Sequence, residues 1–267
     1  MKSFFLEYSD ALRLVVFAVA LVLMLCLEAA FARKARTQNR LGRWRTNAAM
    51  IVIDSALLKL MFPVAASAAA LWCQTQGWGV LNSVDLPVWA SIVIALIALD
   101  FLIYVQHVAS HKIPILWALH KVHHTDRDID VTTALRFHPL EIALSMLFKV
   151  ACVAAIGAPF VVVVIFEITL NACAIFNHSN WNLPKAVDRR LRLFMVTPDM
   201  HRVHHSIVPQ ETNSNYGFSV SVWDFLFKTY VDQPSVGHDD MTIGLAQHQD
   251  VNPSSLRWAL LLPFRAG

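Results

Sequence analysis

Apolar and polar positions along this 267-residue chain come in long blocks rather than in the short alternations of a soluble fold. Ala11 to Phe31 is one apolar run, and about 20 such residues cross a bilayer core as a helix. Ala30-Phe31-Ala32 mimics a small-x-small cleavage site. Glu7 and Asp10 precede the run, however, and a positive cluster follows it, so it reads as a first transmembrane helix and not as a leader. The cluster is Arg33, Lys34, Arg36, Arg40, Arg43 and Arg45, a solvated loop that the positive-inside rule puts in the cytoplasm. Met50 to Trp72 is a second span, interrupted by Asp54, Lys59 and Pro63. The connection from Gln74 to Leu86 carries Asp85 but no Lys or Arg, and so faces away from the cytoplasm. Pro87 fits the first turn of a third helix running through Trp89 to His111.

After Pro114 an amphipathic helix from Ile115 to His124 leads into the polar run Thr125 to Asp130. Two apolar arms follow, Leu140 to Gly157 and Pro159 to Phe176, joined at Gly157-Ala158-Pro159. They form a hairpin that enters and leaves the membrane on one side. Lys149 and Glu167 fall at nearly equal depth on these arms, and a charge in lipid needs a partner, so the two are expected to face each other. Lys185 to Val196 is a basic segment expected on the membrane surface, with Arg189, Arg190 and Arg192 towards anionic headgroups. Thr197-Pro198-Asp199 opens another helix. Asn213 to Gly217 marks a turn, after which Phe218 to Tyr230 reads as an apolar helix. Trp117, Trp181 and Tyr230 read as interfacial aromatics. The pattern predicts an all-α, multi-pass membrane helical bundle with a cytoplasmic histidine-rich helical cap. It falls into N-terminal transmembrane helices (1–94), a unit with the membrane hairpin (95–232) and a C-terminal tail (233–267).

Composition agrees. The chain is 56% hydrophobic and 15% charged, where a soluble domain carries about 25% charged residues. Its net charge of +3 comes from basic residues beside apolar spans, not interleaved with exposed aromatics, so no nucleic-acid partner is expected. Cys26, Cys73, Cys152 and Cys173 lie in apolar runs without CxxC spacing and read as packing residues.

The chemistry lies in histidine. His120-Lys121-Val122-His123-His124 and His201-Arg202-Val203-His204-His205 both read HxxHH, a triple that 12 randomly placed histidines would produce about 0.02 times per chain. His107 and His111 add an HxxxH. On a helix, i, i+3 and i+4 side chains share a face, so each motif aims two or three imidazoles one way. Asp100, Tyr104, His107 and His111 likewise form one stripe of the third helix. Ten of the 12 histidines lie between 107 and 205, more than one tetrahedral ion uses, and a two-metal site is the simplest reading. Neutral imidazoles leave such ions electropositive. Asp100, Glu141, Asp199 and Asp224 are the carboxylates expected to compensate them and to accept ligand N–H groups. His238 and His248, in the polar tail, are expected to be solvated.

HxxxH, HxxHH, RFHPLE, NHSN, the second HxxHH and NYGFSVSVWDFLF together make residues 95 to 232 resemble the fatty acid hydroxylase and sterol desaturase superfamily of membrane di-iron enzymes. The resemblance implies a non-haem di-iron oxygenase that hydroxylates or desaturates a lipid with dioxygen. It names His107, His111, His120, His123, His124, His178, His201, His204 and His205 as ligands, with His138 either a further ligand or a support. Some members carry one more histidine where this chain has Ala174, so the ligand count is nine or ten. No haem, flavin or nicotinamide motif is present, and an external electron-transfer protein or reductase is expected. Two iron ions are implied, and zinc, higher in intrinsic affinity for such ligands, can replace iron on purification. A rival reading, a histidine-rich metal transporter, calls for ionisable residues at mid-depth in several spans, whereas the histidines here gather at one membrane face. A lipid-embedded zinc hydrolase needs only three protein ligands and an open position.

Overall fold

The computed structural model describes residues 2–62 and 66–265. Regular structure among them is helical, with two isolated antiparallel bridges, Ala32 with Trp181 and Ser206 with Ile243. Helices α1 (Lys2–Ala30), α2 (Arg40–Met61), α3 (Ala66–Gln76), α4 (Val80–Ser83), α5 (Val88–Lys112), α6 (Pro114–His124), α7 (Pro139–Ile156) and α8 (Phe160–His178) precede shorter ones. These are α9 (Lys185–Leu191), α10 (Pro198–His204), α11 (Pro209–Thr212), α12 (Val222–Leu226), α13 (Gly237–Asp240) and α14 (Leu256–Leu261). Five segments are long and apolar enough to cross a membrane: Phe4–Ala30, Arg40–Ser83, α5, α7 and α8. Pro63, expected to interrupt the second span, lies outside the described residues, and Pro87 is the N-cap of α5 instead of its first turn.

Helix α8 is the axis. Its run from Val161 to Phe166 is apolar on every side, with Val162, Val163, Val164 and Phe166 buried against other helices and Ile165 exposed on the outer face. Val162, Val163, Val164, Phe166 and Leu170 pack in one core with Leu99 and Ile103 of α5, Val153 of α7 and Ala66 and Ala70 of α3. Helix α7 shows the opposite design: Leu140, Leu144 and Leu147 form an exposed stripe at i, i+4 and i+7, suited to lipid. Gly157 ends α7 at φ +70° with its N–H on the Val153 carbonyl, a left-handed cap that glycine adopts without strain. A Cβ on Gly79, itself at φ +97°, would stand 2.4 Å from Gly157 Cα, so the loop before α4 sits directly on the hairpin turn.

Lys149 and Glu167 meet at 3.5 Å as expected, but Glu167 has a second cation, Arg13 of α1 at 2.8 Å. Other expectations are corrected. The basic stretch from Arg33 to Arg45 is not a solvated loop. Arg43 is fully buried inside α2, with Nε and Nη1 at 2.6 and 2.8 Å from Asp126 and Asp130, while Arg33 lies 3.3 Å from Asp199. A buried guanidinium persists only when paired this fully, so α2 begins at Arg40, ten residues before the apolar run. Arg192 does not reach towards headgroups either, being tied to Asp188, Asp232 and the Tyr230 hydroxyl. Phe218 to Tyr230 is not one helix: only Val222–Leu226 is helical, because Asp224 takes the backbone N–H groups of Tyr216 and Gly217 and folds the chain back. The stretch after 233 is no free tail, since Trp258, Ala259 and Leu262 pack on Met50 of α2 and Val122 of α6.

Candidate metal centre

The spans deliver their histidines to one place because each HxxHH closes a short helix with Pro at its start. Pro114 opens α6, and Pro198 opens α10, where Thr197 also caps Met200 N–H. His107 and His111 come from the last turns of α5 and His178 from the end of α8. The imidazoles sort into two groups, His107, His111, His120, His124 and His204 in one and His123, His178, His201 and His205 in the other. Within each group the donor nitrogens lie within 4.8 Å of one another. All nine ligands that the resemblance names are therefore brought together.

The ring hydrogen bonds test whether metal fits. His107 donates Nδ1–H to the Tyr216 carbonyl at 2.8 Å, His204 to Ser214 at 2.7 Å, His178 to Ala174 at 2.7 Å and His123 to Arg136 at 3.2 Å. His120 Nδ1 lies 2.6 Å from Glu141 Oε1. A neutral ring with its proton on Nδ1 has a bare lone pair on Nε2. Yet His123 Nε2 and His178 Nε2 face each other at 3.0 Å, with His201 Nε2 2.9 Å from His178 and 3.2 Å from His205 Nε2. The lone pairs of His123 and His178 repel at that spacing unless a shared cation lies between them, and 2.9–3.2 Å is the spacing of neighbouring donors each about 2.0–2.1 Å from one ion. In the other group, His111, His120, His124 and His204 each have a buried Nε2 without a hydrogen-bond partner among the described residues. Such orphaned donors are costly unless a metal takes them. Burial, then the neighbouring imidazoles, holds His124, His201 and His205 well below the usual imidazole range, and burial pushes His204 down to about 3, so the rings are neutral as ligands must be.

His138, for which the resemblance left open a further ligand or a support, lies outside both groups. Its Nδ1 accepts Leu140 N–H as the N-cap of α7, and its Nε2 is 3.2 Å from the Leu260 carbonyl, so both nitrogens serve backbone. Of the four carboxylates, Glu141 alone touches a clustered histidine among the described residues. Asp224 acts one step away by holding Tyr216 N–H at 2.8 Å, beside the carbonyl that receives His107. Asp100 accepts Trp223 Nε1–H at 2.7 Å, and Asp199 pairs with Arg33 and Arg202, so neither reaches a ring of the clusters. His238 is buried 3.6 Å from Asp199 rather than solvated, and half-buried His248 packs edge-on against Trp258. Trp117, expected at the interface, packs against His111 and His124 at ring separations of 4.9 and 5.5 Å.

Other supports escaped the sequence reading. Arg136 is fully buried and binds the Val122 and Pro253 carbonyls, Asn47 and Thr125. Burial pushes the Asp126 carboxyl up, but Arg43 and Arg136 outweigh it and hold the group at about 2. The alternation Asp126, Asp128, Asp130, matched by the basic stretch from Arg33 to Arg45 far earlier in the chain, was the available signal. From the centre a cavity of about 450 Å³ runs into the membrane region, with His107, His120, His123, His178 and His201 at one end and Arg13, Lys149 and Glu167 also on its wall. That is within the roughly 300–1,000 Å³ range of small-molecule sites.

A membrane helical bundle holding two facing groups of buried, neutral imidazoles at the mouth of an apolar cavity defines a membrane metalloprotein. The chain belongs to the fatty acid hydroxylase family, whose model matches residues 92–229. Its curated relatives include the ornithine lipid hydroxylase OlsE of Rhizobium tropici, 31% identical over 164 residues, 59% of this chain and 46% of that protein. Alkylglycerol monooxygenase of Caenorhabditis elegans is 27% identical over 214 residues, 78% of this chain and 40% of the relative. The Homo sapiens alkylglycerol monooxygenase is 30% identical over 138 residues, 51% and 29% respectively. The chain thus aligns with less than half the length of each of these relatives. No solved structure matches.

Proposed function

We propose that this protein is a dioxygen-dependent lipid oxygenase that hydroxylates or desaturates a lipid at a di-iron centre, with electrons from an external reductase. The observation that carries the reading is the facing of ring nitrogens that bear lone pairs, in two groups, at the end of a cavity reaching into the bilayer region. One ion would be held by His107, His111, His120, His124 and His204, the other by His123, His178, His201 and His205. Bound iron would supply reductive activation of dioxygen, the chemistry that an unactivated C–H bond requires. The chain supplies the rest. Glu141 fixes the His120 tautomer, backbone carbonyls orient four other rings, and Trp117 packs over His111 and His124. Phe17, Leu58, Ile103 and Leu170 line an apolar path along which an acyl or alkyl chain can lie with water excluded.

In this reading residues 95–232 are the catalytic unit, 1–94 the N-terminal transmembrane helices, and 233–267 brace the cap. The centre faces the cytoplasm, an orientation supported by the surplus of Arg and Lys at that end of α1 and α2 and their absence from 74–86. The relatives named for lipid hydroxylation and monooxygenation favour the same chemistry, and nothing in them favours a transporter. The test is incubation of iron-loaded protein with a broad lipid extract, an electron donor and oxygen-18 gas, with double bonds assayed in parallel. The expected result is a labelled lipid hydroxyl or a new double bond, lost in His120→Ala and His201→Ala. Neither product with a competent donor rejects the assignment.

A further inference from the structure

The cavity has two polar regions, and they differ in how well they are satisfied. Glu167 is bound by Arg13 and Lys149, and Arg13 also by Asp10, so two cations and two carboxylates compensate one another there. Asp54 of α2 is different. It is 2% exposed, it lines the cavity, and its Oδ1 is enclosed without a hydrogen-bond partner among the described residues. No cation pairs with it there. Gln106 Oε1 and Glu141 Oε2, which line the same cavity, are likewise buried and unpartnered among the described residues. Three acceptor oxygens without donors in one cavity are costly, and a ligand that brings the donors removes the cost. Because Glu141 is bonded to His120, the cavity adjoins the metal centre there. Lys149 lies eight residues further along α7, about 12 Å at 1.5 Å per residue, and Met146 and Leu170 line the intervening space.

We propose that Asp54, with Gln106 and Glu141, is the specificity-determining site for a lipid whose polar end donates hydrogen bonds, a hydroxyl or an ammonium group, and that it excludes lipids ending in a carboxylate. The proposal rests on the cavity being the lipid site. A carboxylate headgroup would add a further acid beside Asp54 and Glu141 and supply no donor. Asp54 is therefore a buried group kept for binding at the expense of stability, which separates it from a structural residue.

The test is equilibrium binding of three 16-carbon probes to the full chain in detergent, without electron donor so that nothing turns over: 1-O-hexadecylglycerol, hexadecylamine and palmitate. Wild type is expected to bind the glycerol ether or the amine at least 10-fold tighter than palmitate, and the tighter of the two identifies hydroxyl or ammonium recognition. Asp54→Leu should weaken the donor-bearing probe by about 10- to 100-fold, as loss of a buried hydrogen bond that leaves its partner unsatisfied does, with palmitate unchanged or tighter. It should also raise the Tm, since an unsatisfied buried polar group is removed. The isosteric Asp54→Asn should retain the glycerol ether and lose any preference for the amine. Palmitate binding as tightly as both donors in wild type overturns the proposal, as do a preference that survives in Asp54→Leu and failure of all three probes to bind. So does loss of Tm and metal with the preference intact, which would make Asp54 a structural or charge-compensating group. A protein that discriminates among the probes but oxidises none leaves the proposal standing and rejects only the oxygenase reading.

Discussion

Glu141 stands 2.6 Å from His120 Nδ1 and has a choice of two neighbours, the ring and the cavity. Exchange for Gln keeps an acceptor but removes the charge that raises the basicity of the ring. Metal retained by the cluster that contains His120 should weaken about 10- to 100-fold, read by competition with a chelator. His138→Ala should leave metal retention unchanged, because both its nitrogens serve backbone groups. Equal metal loss from the two variants would contradict this division of roles. The difference between Glu141 and Asp199 was not legible beforehand: both are acidic and both fall inside the stretch from 107 to 205 that carries the histidines, but Asp199 is claimed by Arg33 and Arg202. HxxHH was legible because helical spacing converts sequence directly into direction. The carbonyls of Arg136, Ala174, Ser214 and Tyr216 that fix the tautomers belong to the backbone, and any residue offers one.

At the scale of elements, the spans and the α7–α8 hairpin were readable because length and apolarity suffice for them. The cap was not, since its short helices are held by buried ion pairs and by the C-terminal stretch packed on Met50 and Val122. The cap also has an acid limit. His123, His124, His201 and His205 are held, by burial first and then by neighbouring rings, well below their ordinary 6.5, and His204 near 3. Unfolding exposes rings that protonate near 6.5, so the unfolded chain binds more protons below that pH. Stability is thus full above about 6.5 and falls as pH drops towards the folded values, by about 1.4 kcal/mol per pH unit for each ring kept neutral. Metal-free protein is expected to lose cap helicity and Tm between pH 6.5 and 5, followed by circular dichroism in detergent. Asp126, held at about 2, adds its loss only below about 4. A Tm independent of pH over 5 to 7 would contradict burial of neutral rings.

At the scale of the whole molecule, α5 and α8 bring three histidines and the two HxxHH stretches bring six to one site, and the match to the fatty acid hydroxylase family covers residues 92–229, close to the 95–232 marked by the histidine motifs. What the sequence concealed was the cavity: its wall is one face from each of α1, α2, α5, α7 and α8, such as Ile51, Asp54, Ser55 and Leu58 of α2, and the pattern of one helix does not say which faces of the others meet it. The central claim is that these histidines form two metal sites and not one. Metal content per chain, measured on detergent-purified full-length protein loaded with iron under reducing conditions, tests it most directly. The expected stoichiometry is two in wild type and one in either His111→Ala/His204→Ala or His178→Ala/His205→Ala; a wild-type value fixed at one would contradict the account.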